Sequence, residues 1–224
     1  VNFLALLGWS PGEDREMLTR DAMVQAFTLE GVSGGNAVFD QKKLDWFNSR
    51  HIELLQADEI IDKIQPLLEE SRLWREEYAS VGDSRTRLAS IINLLKSRAT
   101  VLPDFIEYGR PFLVDEVTYE PEAVKKRLLV VGLADHVAAL REAYAALEED
   151  RFDSSSLEGV LRSLADSRSI KAGVLIHATR VAMTGTTVSP SLFEMVELMG
   201  QAKTISRLKA LEQFLSEHPP LDSL

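Results

Sequence analysis

Apolar residues in this chain recur with the period of an α-helix almost from end to end, and that pattern leaves few folds open. Leu88, Ile91, Ile92 and Leu95 stand at i, i+3, i+4 and i+7, which places them along one helix face and predicts a buried stripe. Asp83 or Ser84 is available as its N-cap. Similar stripes run through Ala22 to Phe27, Leu44 to Leu55, Ile60 to Leu68, Val137 to Leu147, Leu157 to Leu164, Val174 to Ala182 and Ile205 to Leu215. Breaks fall at Gly8 to Gly12, Gly31 to Asn36, Gly82, Pro111, Pro121, Gly185 to Pro190 and Pro219-Pro220. Period-two alternation is hard to find. The expected class is therefore all-α, a helical bundle or curved helical cage with no internal repeat at fixed period.

Composition narrows the class further. At 224 residues the chain is long enough to bury a core and to form one large or two to three small domains. With no cysteine there is neither a disulfide framework nor a thiolate metal site. No apolar run approaches the roughly 20 residues that span a bilayer, and no basic-then-apolar signal opens the sequence. The expected setting is cytoplasmic.

The net charge of −10 argues at first against a nucleic-acid partner, because phosphate binding needs local positive potential. Its distribution is uneven. Arg85, Arg87, Lys96, Arg98 and Arg110 face only Asp104 and Glu107 between residues 85 and 110, and Arg168, Lys171 and Arg180 face no acid between 167 and 192. Two small basic islands on an acidic body suit a protein that touches RNA at chosen places; they also suit ordinary solvated helix faces. An acidic helical module that binds protein and not RNA is the alternative.

The second island contains the most informative motif, Lys171-Ala-Gly-Val-Leu-Ile-His-Ala-Thr-Arg180-Val-Ala-Met-Thr-Gly-Thr-Thr-Val-Ser-Pro-Ser-Leu-Phe193-Glu. It reads as a helix, a glycine-threonine turn and the start of a second helix, with one arginine near the corner. Such a corner can offer a guanidinium, hydroxyls and free backbone N–H groups to a splayed-out RNA base.

This spelling resembles the end of bacterial-type glutamyl-tRNA synthetases, where the corner reads the anticodon. Three further blocks resemble the same family in the same order: Val1-Asn-Phe-Leu-Ala-Leu-Leu-Gly-Trp-Ser-Pro11, Ala37-Val-Phe-Asp40-x-x-Lys43-Leu-x-Trp46-x-Asn48, and Leu94-Leu-Lys-Ser-Arg98-Ala-Thr-Val-Leu102. The family's nucleotide-binding elements, a His-Ile-Gly-His-like element and a Lys-Met-Ser-Lys-Ser-like loop, are not in the sequence. His51, His136, His177 and His218 lie far apart. No catalytic constellation or metal set can be assembled.

The resemblance implies a C-terminal anticodon-binding fragment that binds tRNA(Glu) and does not charge it. The longer parent would join glutamate to tRNA with ATP and magnesium, and the fragment itself would carry no cofactor. The implied parts are a stem-contact-like helical segment over 1–56, one anticodon-binding subdomain over 57–120 and a second over 121–224. Glu116 to Pro121 is the expected hinge, and a monomer is the expected state.

The resemblance also assigns site residues. Arg98 falls where discriminating members contact the third anticodon base and favour cytosine; relaxed members, which also charge tRNA(Gln), often carry glutamine there. From its place at the end of a striped helix alone, Arg98 reads as a cation on the helix dipole. Arg180, Ser189 and Leu192 fall where the family contacts the first two anticodon bases, although a surface arginine and a core leucine would look the same. Ser189 replaces a frequent threonine and Ser191 a frequent glycine, which keeps the hydroxyl at 189 and loses its methyl. Lys42 and Lys43 are the residues of the second block able to reach tRNA phosphate. Trp46 is expected in the core or in helix–helix packing, Gly31-Val-Ser-Gly-Gly35 as a helix-ending turn, and Glu69-Glu70 and Glu148-Glu149-Asp150 as solvated helix ends.

Overall fold

The computed structural model describes residues 1–13, 15–35 and 38–218. Among them are α1 (Asn2–Ala5), α2 (Arg20–Ala26), α3 (Gln41–Leu54), α4 (Ala57–Glu70), α5 (Asp83–Leu95), α6 (Asp104–Leu113), α7 (Pro121–Arg127), α8 (Leu133–Ala145), α9 (Ser154–Ser167), α10 (Ala172–Thr184), α11 (Leu192–Met199) and α12 (Gln201–Glu217). Short 3-10 turns lie at Glu76–Tyr78, Lys96–Arg98 and Glu149–Arg151. The only pairing of extended backbone in the described residues is an isolated antiparallel bridge between Trp9 and Val32. The protein is all-α.

The stripes become the core. Leu88, Ile91, Ile92 and Leu95 of α5 are buried, and they join one continuous apolar cluster that runs from Ile52 to Leu215. In it α5 packs on α4 and α6, α12 lies along α8, and α9 and α10 close the far side. A second, small cluster of Trp9, Leu18 and Met23 holds the first segment. That segment is tied together by buried Asn2, whose amide donates to Glu16 O (3.0 Å) and whose Oδ1 accepts from Leu18 N (3.0 Å) and meets His51 Nε2 (3.2 Å).

The helices on either side of residues 114–120 are joined by cations on carbonyl groups. Arg87 of α5 donates to Leu198 O (3.1 Å) and Met199 O (2.6 Å) at the end of α11. Lys203 donates to Phe112 O (3.0 Å) and Val114 O (2.9 Å) at the end of α6. Arg207, 3% exposed, donates to Pro111 O (2.6 Å), Val114 O (2.8 Å) and Met183 O. Helix ends leave their last carbonyls without intrahelical partners, so each of these contacts satisfies a group that burial would otherwise penalise.

Four local expectations are corrected. The N-cap of α5 is Gly82, and Asp83 is the first helical residue, a carboxylate in the first turn instead of a cap. Pro111 does not break a helix: α6 continues through it to Leu113, and Arg207 holds the Pro111 carbonyl. Gly31 is not a helix-ending turn, since α2 ends at Ala26; a Cβ at Gly31 would lie 2.7 Å from the Trp9 indole nitrogen, and Ser10 N donates to Gly31 O (2.9 Å) beside the bridge. Trp46 is 39% exposed and carries Arg50 5.8 Å from its ring, while the core position belongs to Phe47, 1% exposed. The expected break at Pro219-Pro220, the end of the Gly31 to Asn36 break and the first residue of the Ala37 block lie outside the described residues.

Candidate nucleic-acid interface

The corner after α10 is built by its own hydroxyls. Gly185 ends the helix with φ +80°, a left-handed conformation that glycine adopts without penalty. A second demand falls on the same residue: a Cβ there would lie 2.1 Å from Thr118 O, and Glu120 N donates to Gly185 O at 2.8 Å. The corner is thus docked against the segment that leads into α7. Thr184 Oγ1 donates to Arg180 O (2.9 Å) and accepts from Thr186 N (3.1 Å), and Thr186 Oγ1 donates to Val188 O (2.8 Å) and accepts from Val188 N (3.1 Å). These contacts fix the turn without secondary structure.

Arg180 leaves the otherwise buried stripe of α10 and is half-buried. Its Nε donates to Ser189 Oγ (2.8 Å), whose hydroxyl in turn donates to Pro190 O (2.8 Å). A second guanidinium nitrogen lies 3.4 Å from His177 Nδ1. Because guanidinium is only a donor, that contact requires an unprotonated Nδ1. Burial first, then the charges of Arg127 and Arg180, hold the His177 pKa below its ordinary value. Burial, Arg127 and Arg98 act the same way on Arg180.

The expected site residues come from separate parts of the chain. Arg98 ends the 3-10 turn that follows α5; it is exposed and has no hydrogen-bond or ion-pair partner among the described residues. Its neighbour Lys96 does the capping that position suggests, with Nζ on Leu55 O at the end of α3. Arg180, whose pKa the charge of Arg98 helps to lower, is held by Ser189 at the corner. Leu192 opens α11 and is 4% exposed, so it lies in the core beneath the corner.

Lys42 and Lys43 stand apart. Both are in the first turn of α3, whose N-terminus is capped by Asp40, and Lys43 Nζ pairs with Glu16 (2.8 Å). The other end of α3 meets the Lys96–Arg98 turn, so a rise of about 1.5 Å per residue puts Lys42 roughly 18 Å along the helix from that end.

Arg127 and His177 are the residues that sequence reasoning passed over. Arg127 ends α7, which packs on α10, and its Nε is buried with no partner among the described residues. The available signal was the run Lys125-Lys126-Arg127, three cations against the single carboxylate Glu122 in α7. By contrast, a cleft of about 710 Å³ elsewhere is lined by charges of both signs, Arg75, Glu77, Arg87, Asp115, Glu149 and Lys203 among them. No group of three or more His, Asp or Glu among the described residues is placed to hold a metal ion, and none of the helices is long and apolar enough to cross a membrane.

The described residues thus form an all-helical body in which Arg98 and Arg127 have no side-chain partner and Arg180 is held by Ser189 at a helix-turn-helix corner. Residues 59–211 match the family model described as the anticodon binding domain, and the chain belongs to that family. It is 39% identical over 218 residues to glutamate–tRNA ligase 2 of Koribacter versatilis, covering 95% of this chain and 43% of that protein. It is 36% identical over 214 residues to the glutamate–tRNA ligase of Thermodesulfovibrio yellowstonii, covering 93% and 43%. The crystal structure of a glutamate tRNA ligase from Elizabethkingia meningosepticum superposes with a TM-score of 0.81 at 27% identity, over 96% of this chain and 40% of that one. The chain thus spans less than half the length of these relatives. Arg98, Arg127, Arg180, Ser189 and Leu192 lie inside the matched residues; Lys42 and Lys43 lie outside.

Proposed function

We propose that this chain reads the anticodon of tRNA(Glu) as the anticodon-binding part of a glutamate–tRNA ligase, an enzyme that joins glutamate to its tRNA with ATP and magnesium. The observation that carries this reading is a pair of arginines, Arg98 exposed without a partner and Arg180 held by Ser189 and influenced by the charge of Arg98, with no carboxylate paired to either among the described residues. An unpaired guanidinium suits both base edges and phosphate. Arg98, bare and exposed, takes the third anticodon base. Arg180, aimed by Ser189, takes the first two, with Leu192 as the apolar support under the turn. Lys42 and Lys43 reach backbone phosphate closer to the inner corner of the tRNA, within a first segment of residues 1–56 that precedes two anticodon-binding subdomains, 57–120 and 121–224. The chain acts as a monomer in the cytoplasm and leaves adenylation to a catalytic domain.

Titration of the chain with tRNA(Glu), tRNA(Gln) and an unrelated tRNA at two salt concentrations tests the reading. The expectation is weak binding that prefers tRNA(Glu), with the salt slope of two to four phosphate contacts, about 0.9 log units each in a duplex. No binding at low salt, or equal binding of all three, overturns it. Arg98 favours a discriminating over a relaxed enzyme, because a donor-only guanidinium can meet the O2 and N3 acceptors on the Watson–Crick edge of cytosine, where guanine presents N1–H and N2–H donors, whereas a glutamine amide can both donate and accept.

A further inference from the structure

We infer that Arg127, together with Arg180 and His177, forms a backbone-phosphate subsite beside the base-reading residues. The inference rests on the RNA-binding reading above and adds a residue and a ligand chemistry to it.

Three observations bear on Arg127. It closes α7, a position where a cation ordinarily satisfies the last carbonyls of its own helix, yet it donates to no carbonyl among the described residues and its Nε is buried without a partner. Its placement is imposed and not incidental, because the Gly185 contact with Thr118 and Glu120 docks the start of α7 onto the end of α10. What it then faces is more positive charge: Arg127 acts on both His177 and Arg180, and Arg98 acts on Arg180. Cations brought together with no carboxylate between them repel one another, and they are tolerated in an acidic protein where an anion completes the group.

The anion that fits is a phosphate diester. A planar guanidinium can present two parallel N–H groups to two phosphate oxygens, and Arg127 keeps donors free where Arg180 has already given Nε to Ser189. Neutral His177, with Nδ1 turned to Arg180, leaves an Nε2–H for a third bond. Leu129, Val130 and Val131, exposed directly after α7, supply an apolar edge against which a sugar or base can rest. The subsite holds the strand in register while Arg98 reads the base, so its contribution does not depend on sequence.

The test compares the chain with its Arg127→Gln and Arg127→Lys variants. Fluorescence anisotropy with anticodon stem-loop RNAs that differ only in the third anticodon base would be followed between about 50 and about 200 mM salt. Arg127→Gln is expected to weaken every RNA by one common factor, about tenfold at the lower salt, and to flatten the slope of log affinity against log salt by about 0.7 to 0.9. Arg127→Lys should restore the slope. Without RNA, Arg127→Gln should melt no lower than the parent chain, since it removes a cation that has no partner. An unchanged slope overturns the subsite, and so does a loss confined to one anticodon, which would make Arg127 a base reader. A variant that unfolds, or melts several degrees lower, also overturns it by making the residue structural. Failure of the parent chain to bind any RNA rejects the anticodon reading itself, whereas parent binding with an indifferent Arg127→Gln rejects the subsite alone.

Discussion

Two sets of cations in this protein use the same chemistry to opposite ends. At the junction of α5, α6, α11 and α12, Arg87, Lys203 and Arg207 give their donors to carbonyl groups at helix ends. Around α10, Arg127 gives its donors to nothing among the described residues and Arg180 gives only part, and Arg98, on the turn after α5, likewise has no partner there. The first set is saturated by the fold and works as mortar. The second is left partly unsaturated and lies near its own kind, a state with no value to stability, and it is the set proposed above to hold an anionic strand. Counting basic residues cannot separate the two roles; asking where each donor goes can.

The largest effect that could break this contrast is expected at Arg207. Its burial already pushes its pKa below the ordinary value, so the contact is maintained against desolvation by the carbonyls it serves. Arg207→Met keeps much of the volume and strands the carbonyls of Pro111 and Met183. A loss on the order of 3–5 kcal/mol follows from leaving buried acceptors unpaired, or roughly 10 °C in a chain of this size. Thermal melting by circular dichroism checks it. A shift of a degree or two would mean that Arg207 is no more committed than Arg127.

Gly185→Ala comes next, because it attacks the docking that holds α7, and with it Arg127, against α10. Left-handed backbone costs a residue with a Cβ about 1–2 kcal/mol, and the approach to Thr118 O at 2.1 Å adds displacement of α7 from α10. Stability should fall by at least about 2 kcal/mol. RNA affinity should fall with it, since Arg127 moves away from Arg180. Lost stability with full affinity would show that the docking of α7 is irrelevant to binding.

Arg98→Gln should change a ratio instead of a stability. The side chain has no partner in the fold, so melting should be unchanged, while preference for the glutamate anticodon over the glutamine one narrows by about 1 kcal/mol, the lower end for a lost arginine-to-base contact. Charging efficiency of a full-length relative carrying the change, measured on tRNAs that differ only in the third anticodon base, gives the number. An equal loss on both substrates would move Arg98 into the phosphate-binding group with Arg127.

How far the sequence could carry these distinctions depends on what each signal encodes. Long amphipathic helices such as α4, α5 and α12 announce themselves by period, and the α10 corner by its Gly-Thr turn after an apolar run. Helix α7 does not: only Ala123 of its seven residues is buried, too little apolar contrast for any stripe, and Arg127 was hidden with it. Trp46 was misplaced because helical spacing identifies a face and cannot tell which of two adjacent aromatics, Trp46 or Phe47, turns inward. Arg207 was silent for a different reason. It satisfies carbonyls 24 to 96 residues away in sequence, a pairing that no local pattern records.

His177 offers the smallest and most selective probe of the cationic corner. Its pKa lies below the ordinary 6.5 because of burial, Arg127 and Arg180, so the folded state binds its proton less readily than the unfolded chain. The stability it contributes is then fully present above the unfolded value and is lost as pH falls through the folded one. In the free protein, melting temperature should drop more between about pH 7.5 and about pH 5.5 for the parent than for His177→Gln, a window in which ordinary carboxylates stay ionised. RNA should reverse the sign. A phosphate beside the ring offsets the charges of Arg127 and Arg180 and favours the imidazolium, which gives up its Nδ1 contact with Arg180 while Nε2–H stays on the phosphate; binding then takes up a proton and parent affinity should rise over the same interval, while that of His177→Gln stays flat. Were affinity to fall on acidification in the parent alone, the proton would be adding to an unrelieved cluster of cations, and no anion would be bound where Arg127, His177 and Arg180 meet.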